Sequence, residues 1–303
     1  MSNHNASVKS ILFALLANFG IAITKTVAAV ITGSGAMLAE SIHSFADCAN
    51  QGLLFLGLSA SKRKPDEDHP LGYGKAIFFW SFIVALILFS MGGLFSIYEG
   101  IHKLSTHEGL KSPIIAIVVL SVSLVLEAAS LFGCITQINK VRHKNENLWK
   151  WFKNSRQSEL VVVMGEDIAA LLGLAFALVS VVLAMITGNP IFDAIGSIGI
   201  GILLIVISMF LAVKIKGLLI GQSVDEEVRN EITQFLEGRP EIDKVLNLIT
   251  LQLGAQIMVA VKVKMKQVEN VGQLIANINH CEEGLRKQNP AIQWIFFEPD
   301  IEK

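Results

Sequence analysis

The sequence predicts a membrane all-α bundle of six transmembrane helices followed by a C-terminal α+β domain of order α-β-β-α-β. Three observations predict it. The 303 residues are 52% hydrophobic but only 17% charged, whereas a soluble domain carries about 25% charged residues. The mean hydropathy is +0.55, and the apolar residues fall in runs of about 20, the length that crosses a bilayer. From about residue 214 onward the long runs give way to amphipathic and alternating patterns. This composition excludes disorder over most of the chain. With 25 basic and 26 acidic residues and a net charge of −1, there is no basic excess of the kind a nucleic-acid partner requires.

The six apolar stretches lie at about 9–32, 36–60, 77–99, 113–137, 159–187 and 191–213. The polar start MSNHNASVKS lacks a small-residue cleavage site after the first run, so that run reads as a retained helix and not a signal peptide. Gly33, Ser34 and Gly35 are too short a link for anything but a tight turn between antiparallel helices. Thr187, Gly188, Asn189 and Pro190 form a second turn, with proline near the next helix start. The expected division is 1–213 for the transmembrane domain and 214–303 for the α+β domain.

Basic residues sort by side. Loop 61–76 carries Lys62, Arg63, Lys64 and Lys75; segment 138–158, read as a loop, carries Lys140, Arg142, Lys144, Lys150, Lys153 and Arg156. Lys9 precedes the first span, and Lys214 and Lys216 follow the last. On the other side, loops 33–35 and 188–190 carry none and loop 100–112 only Lys103 and Lys111. The positive-inside rule therefore puts both termini in the cytoplasm, as an even number of spans requires.

In the tail, DEEVRNEITQFLEG (225–238) opens on acidic residues and ends on glycine, which marks a helix. Residues 241–251 and 255–266 alternate and are β-branched, with Gly254 between them, and predict a two-stranded hairpin. Residues 270–288 return to helical periodicity, and 291–299 form a last strand. Helices covering one face of this sheet would give the tail its own core. Cys48, Cys134 and Cys281 are scattered with no CxxC pair; they read as small buried hydrophobes, not a disulfide framework or thiolate zinc site.

Ionisable groups inside spans are costly and are functional candidates by default. The second span holds Glu40, His43 and Asp47, followed by Asn50 and Gln51. At helical pitch His43 and Asp47 lie about 40° apart one turn from each other, and Glu40 within about 20° of Asp47 two turns away. One helix face thus presents carboxylate, imidazole and carboxylate, donors that suit Zn2+ and also Mn2+, Fe2+ or Co2+. The bland reading has His43 bonding a neighbouring carbonyl and Asp47 pairing with a lysine; the mid-span position of both favours the metal. In the fifth span, Asp167 is the surer ligand of a site shared with span two and Glu166 the less sure, with an ion pair as its bland reading. Gly165 would let another helix approach closely there. Lys25 requires a carboxylate partner, with Glu40 or Glu127 as candidates. Asp193 reads as a helix-start residue stabilised by the helix dipole. Gly196, Gly199 and Gly201 read as close packing, because no strand precedes them to make a phosphate loop.

Four stretches carry a family resemblance: TGSGAMLAESIHSFADCANQ (32–51), DEDHPLGYGKA (66–76), EDIAALLG (166–173) and GNPIFDAIGSIGIG (188–201). Together they resemble the cation diffusion facilitator family of divalent-metal transporters, nearest the branch containing a mitochondrial zinc exporter of animals. The resemblance runs over essentially the whole chain. It implies a metallochaperone-like tail that helps form homodimers. It also implies an ion held by two residues of span two and two of span five, each pair four residues apart. His43 and Asp47 match the first pair and Asp167 the last member of the second; the remaining position, usually His, is Val163, so that Glu166 or a water would complete the set. Asp66 and His69 match a second family site, but Tyr73 stands at its second His, which predicts a weak or absent site. The tail has His280 as its one histidine, too few for the zinc sites of many members. Some members join a lysine at the position of Lys75 to an aspartate after span six, which here is Ile220.

The expected function is proton-coupled export of divalent cations from the cytoplasm, zinc foremost, with Mn2+, Fe2+ or Co2+ as alternative cargo. The expected partners are the divalent metal ion, protons, the bilayer and a second copy of the chain, with no nucleic acid. The membrane expected is a bacterial inner membrane or that of an organelle. No nucleotide-binding GxxxxGK loop is present, no resident cofactor is expected, and the chain is not expected to be an enzyme. An intramembrane metalloenzyme with Glu166 as base is a remote alternative, disfavoured because HExxH is missing. A metal sensor is another, disfavoured because six polar-faced spans exceed what an anchor needs.

Overall fold

A computed structural model describes residues 18–106, 110–142 and 146–301. The first helix, α1, is described over Asn18–Thr32; its expected start at residue 9, like Lys9 and Lys144, lies outside the described residues. Then follow α2 (Gly35–Ser61), α3 (Ala76–Ile87), a π-helical segment (Leu88–Leu94) and α4 (Phe95–Thr106). Next come α5 (Pro113–Val141), α6 (Leu148–Asn154), α7 (Ser158–Thr187) and α8 (Ile191–Ile220). The tail contains α9 (Glu226–Glu237), β1 (Ile242–Leu253), β2 (Gln256–Met265), α10 (Val271–Gln288) and β3 (Ile292–Pro299).

Among the described residues, four helical stretches are long and apolar enough to cross a membrane: Ala76–Thr106, Pro113–Val141, Ser158–Thr187 and Ile191–Ile220. Their outward side chains are large and apolar: Val125 and Phe132 on α5 and Val206 on α8 are all exposed. In water such a surface would be a liability; against hydrocarbon it is the expected face.

One compact unit contains the described residues of 1–56, 80–146 and 159–214. Glycines set its closest helix contacts. Gly93 faces Ile205 and the carbonyl of Gly201, and Gly100 faces Ile198 and the carbonyl of Ala194, so a methyl group at either position would strike α8. Gly201 in turn lies against Ile97 and the carbonyl of Gly93, and Gly196 against Ser180, in keeping with the packing role expected of the glycine run. Lys25 resolves its two candidate partners in favour of Glu40: Nζ lies 3.4 Å from Glu40 Oε2 and donates to Ser44 Oγ at 2.8 Å, wholly buried.

Asp193 sits in the first turn of α8, as expected, and its carboxylate also caps α2. Oδ2 accepts from the Gly35 amide at 2.7 Å, while Oδ1 accepts from Ser34 Oγ at 2.6 Å and from the Ala36 amide at 3.4 Å. Lys103 Nζ stands 3.9 Å away. The α2 N-terminus has orphan amides at a tight turn and a positive dipole end, and takes the nearest carboxylate.

The other compact unit contains 57–79, 147–158 and 215–303, described to 301. Its sheet has the order β1-β2-β3, with β1 and β2 antiparallel and β2 and β3 parallel. Gly254 turns the hairpin at φ +66°. Ile257, Val259, Val261 and Val263 alternate onto the covered face of β2 and pack with Ile232 and Leu236 of α9 and Cys281 and Leu285 of α10. Asp225 caps α9 by accepting from the Val228 amide at 2.9 Å. This is the α-β-β-α-β order expected.

Two elements correct the expectation. Segment 138–158 is not one loop. Within it, α6 is capped by Asn147, whose side chain accepts from the Trp149 amide, and it buries Trp151 and Phe152. Counting lysines hid that short apolar face. The last span also continues as helix to Ile220, past Lys214 and Lys216, because Leu211, Ile215 and Leu218 keep the buried stripe in phase.

In loop 61–76, Asp66 organises the chain. Oδ2 accepts from the Tyr73 hydroxyl at 2.6 Å and Oδ1 from the His69 amide at 2.8 Å. The His69 ring stacks on Tyr73 at 4.2 Å, and Arg63 covers Tyr73 at 4.4 Å. Gly74 closes against β1 so tightly that an added Cβ would strike the Leu253 backbone. Lys75 Nζ reaches the carbonyl of Leu219 at 3.5 Å, at the C-terminal end of α8, where a cation is favourable.

Candidate metal centre

The site begins with α2. His43 and Asp47 are one turn apart, and His43 Nε2 lies 3.7 Å from Asp47 Oδ2, too far for a hydrogen bond. His43 is wholly buried, and among the described residues neither of its ring nitrogens has a hydrogen-bond partner. A buried imidazole nearly always finds at least one. Asp47 Oδ1 is likewise buried and unpartnered. The bland reading of this pair therefore fails: His43 bonds no carbonyl, and Lys25 goes to Glu40 and not to Asp47.

Helix α7 supplies the other two residues. Glu166 Oε1 accepts from Asn50 Nδ2 at 2.5 Å, so a buried side-chain bond joins α7 to α2 one turn beyond Asp47. Its bland reading, an ion pair, is replaced by this contact with an amide. Asp167 Oδ1 accepts from Ser130 Oγ of α5 at 3.2 Å, and Oδ2 is buried with no partner. His43 with Asp47 thus form one pair, while Glu166 and Asp167 are each bound to a different neighbour. Among the described residues, no three His, Cys, Asp or Glu side chains are gathered into a closed ligand set.

The neighbours explain the placement. Gly173 of α7 faces Glu40 Oε1, which brings α7 close to α2, whereas Gly165 packs against Leu211 of α8. The close approach expected at Gly165 is made by α8 and not by α2. Gly92 of the π-helical segment lies with its absent Cβ 3.8 Å from His43 Nδ1, and such widened turns recur at functional sites.

Three residues enter the site without having been assigned to it: Asn50, Ser130 and Glu127. Asn50 was visible as a polar residue on the site's own helix. Glu127, half-buried on α5, lies within electrostatic reach of Glu40, His43, Asp47, Glu166 and Asp167. Lys25 is paired with Glu40, and among the described residues no lysine or arginine pairs with Asp47, Glu166, Asp167 or Glu127. One buried imidazole with unpartnered nitrogens and several neighbouring carboxyl oxygens form a donor set that fits a divalent cation.

The cation efflux transmembrane domain matches residues 11–220. The mouse protein named proton-coupled zinc antiporter SLC30A9, mitochondrial, is 36% identical over 231 residues, covering 76% of this chain and 41% of that protein. Metal tolerance protein C4 of Arabidopsis thaliana is 36% identical over 253 residues, 83% of this chain and 55% of that protein. Magnetosome protein MamB of Magnetospirillum gryphiswaldense is 25% identical over 256 residues, 84% of this chain and 80% of that protein. The chain thus spans about two fifths of the length of its animal relatives. From the family profile and this group of relatives, the chain belongs to the cation efflux, or cation diffusion facilitator, family of membrane proteins, in the branch of the animal SLC30A9 proteins.

Proposed function

We propose that this chain is a proton-coupled antiporter that exports divalent metal cations, zinc foremost, from the cytoplasm. The observation that carries the reading is His43: a fully buried imidazole with both nitrogens unpartnered among the described residues, beside the Asp47 carboxyl. His43, Asp47 and Asp167 are the proposed ligands, with Glu166 released from Asn50 to complete the set in place of Val163. The oxygen-rich character of the set also favours Mn2+, Fe2+ or Co2+ as cargo.

Metal ligands bind the cation only when deprotonated, so protons and cargo compete for the same atoms. With the site open to the cytoplasm the carboxylates take up the cation; with it open to the other side protons displace it. Rocking of helices about a fixed site alternates the two states. In this reading α1 and α2 join the four apolar stretches as membrane spans, giving six, with both termini cytoplasmic. Residues 1–213 carry the ion, and residues 214–303 form a cytoplasmic regulatory and dimerisation domain of a homodimer.

The test is uptake of Zn2+, Mn2+, Fe2+, Co2+ and Cd2+ into proteoliposomes under an imposed pH gradient. The parent is expected to move at least one of these ions and to dissipate the pH gradient as it does so. Asp47→Ala and His43→Ala, verified as monodisperse, are expected to abolish that flux. Undiminished flux in either variant rejects the site, and an ion flux indifferent to the pH gradient rejects the exchange.

A further inference from the structure

Helix α5 carries one carboxylate, Glu127, within a stretch that is otherwise apolar or small from Pro113 to Ile135. Ionisable residues at such depth are retained for a reason. Ion pairing is not that reason: Lys25 is held by Glu40, and among the described residues no basic side chain pairs with Glu127. The helix is turned toward the site at this level, since Ser130, three residues on, holds Asp167. Glu127 itself lies within electrostatic reach of His43 and Asp47 of α2 and of Glu166 and Asp167 of α7. The acidic cluster is not the only sign of a ligand here, because His43 is fully buried with both nitrogens unpartnered and Asp167 Oδ2 is buried and free.

Donor count separates the candidate cations. Zinc is satisfied by four ligands and accepts imidazole nitrogen readily. Mn2+ takes six and prefers oxygen. The proposed set from α2 and α7 offers one imidazole and three carboxylates, and Val163 offers nothing. With one oxygen from each carboxylate, the four residues meet the need of zinc but leave Mn2+ two donors short. Resting on the antiport reading above, we propose that Glu127 is a specificity-determining residue of the cation path, a carboxylate from a third helix that raises the site's preference for oxygen-seeking divalent cations such as Mn2+ relative to Zn2+.

The experiment measures Mn2+ and Zn2+ binding to the purified full-length protein in detergent, and uptake of both into proteoliposomes, for the parent, E127Q and E127D. E127Q is expected to weaken Mn2+ binding about tenfold more than Zn2+ binding. E127D, which keeps the charge on a shorter stem, is expected to recover part of that ratio. A Mn2+ to Zn2+ ratio unchanged within about twofold overturns the assignment, whether both affinities fall together or neither falls. Should E127Q not remain monodisperse, the ratio in E127D decides by the same criterion. A parent that binds both ions but carries neither overturns the antiport reading, while the binding ratio still decides the role of Glu127. A parent that binds neither overturns both.

Discussion

Asn50 donates from Nδ2 to Oε1 of Glu166 at 2.5 Å, and through this buried contact α2 and α7 are joined beside the proposed ligands. The amide and the carboxylate are each other's partners, and among the described residues no lysine or arginine pairs with Glu166. Removing the amide would leave a buried acceptor unsatisfied, at a cost of about 1–3 kcal/mol. Asn50→Leu is therefore expected to unfold at lower temperature in detergent than the parent, and to lose most metal flux in proteoliposomes. Asn50→Gln, which keeps the donor, is expected to fall between them. A leucine variant as stable and as active as the parent would count against the contact.

The Lys25–Glu40 pair sits with both side chains wholly buried. Breaking one half of such a pair strands a charge and costs about 3–5 kcal/mol, whereas replacing both halves with neutral groups is often tolerated. Lys25→Met and Glu40→Gln are each expected to melt markedly below the parent, and the double variant to regain most of the loss. Thermal unfolding of the four proteins gives the coupling directly. Additive losses would mean that the two residues act independently.

Val163 stands one turn before Asp167, where it provides no donor. Val163→His would add a nitrogen at that position. The expected result is a shift of the Zn2+ to Co2+ flux ratio toward zinc by about tenfold, corresponding to ~1.4 kcal/mol. An unchanged ratio would place residue 163 outside the cation path.

Loop 61–76 makes a pH-dependent prediction. The Tyr73 hydroxyl, the strongest influence on Asp66, together with the His69 amide and ring, holds the Asp66 carboxyl below its ordinary value of 3.8. A depressed carboxylate pKa stabilises the folded loop above the unfolded value, and the contribution is lost as pH falls through the folded value. Protection of the His69 and Gly72 amides relative to their intrinsic exchange rates is expected to hold near neutrality and to fall below about pH 4. Tyr73→Phe is expected to move that transition to higher pH. Because Asp66 is already engaged by Tyr73 and His69, loop 61–76 is also expected to bind Zn2+ no better in the parent than in Asp66→Asn, as titration calorimetry would show.

Much of this architecture was legible in the residues. The tail's strands and helices followed from alternation, the acidic cap at Asp225 and the turn at Gly254, because each is local chemistry. His43, Asp47, Glu166 and Asp167 stood out because charge within an apolar run is expensive wherever the helix packs. Neighbour choice was not legible. Helical phase places Glu40 beside Asp47 but does not reveal that Lys25 claims it, nor that Asp193 reaches across to α2. The short helix α6 was hidden for a different reason: its lysines read as a loop until Trp151 and Phe152 were seen to be buried.

The cap on α2 also constrains how that helix can move. Gly35, Ser34 and Ala36 are held by one carboxylate of α8, whereas Asn50 lies 15 residues along the same helix, about 22 Å from that anchorage at 1.5 Å per residue. A helix fastened at one tip behaves as a lever with its fulcrum there. A tilt of roughly 10° would leave the turn at Gly35 in place yet sweep Asn50 through roughly 4 Å, enough to part it from Glu166. Asp193, which is none of the proposed ligands, would then set the stroke.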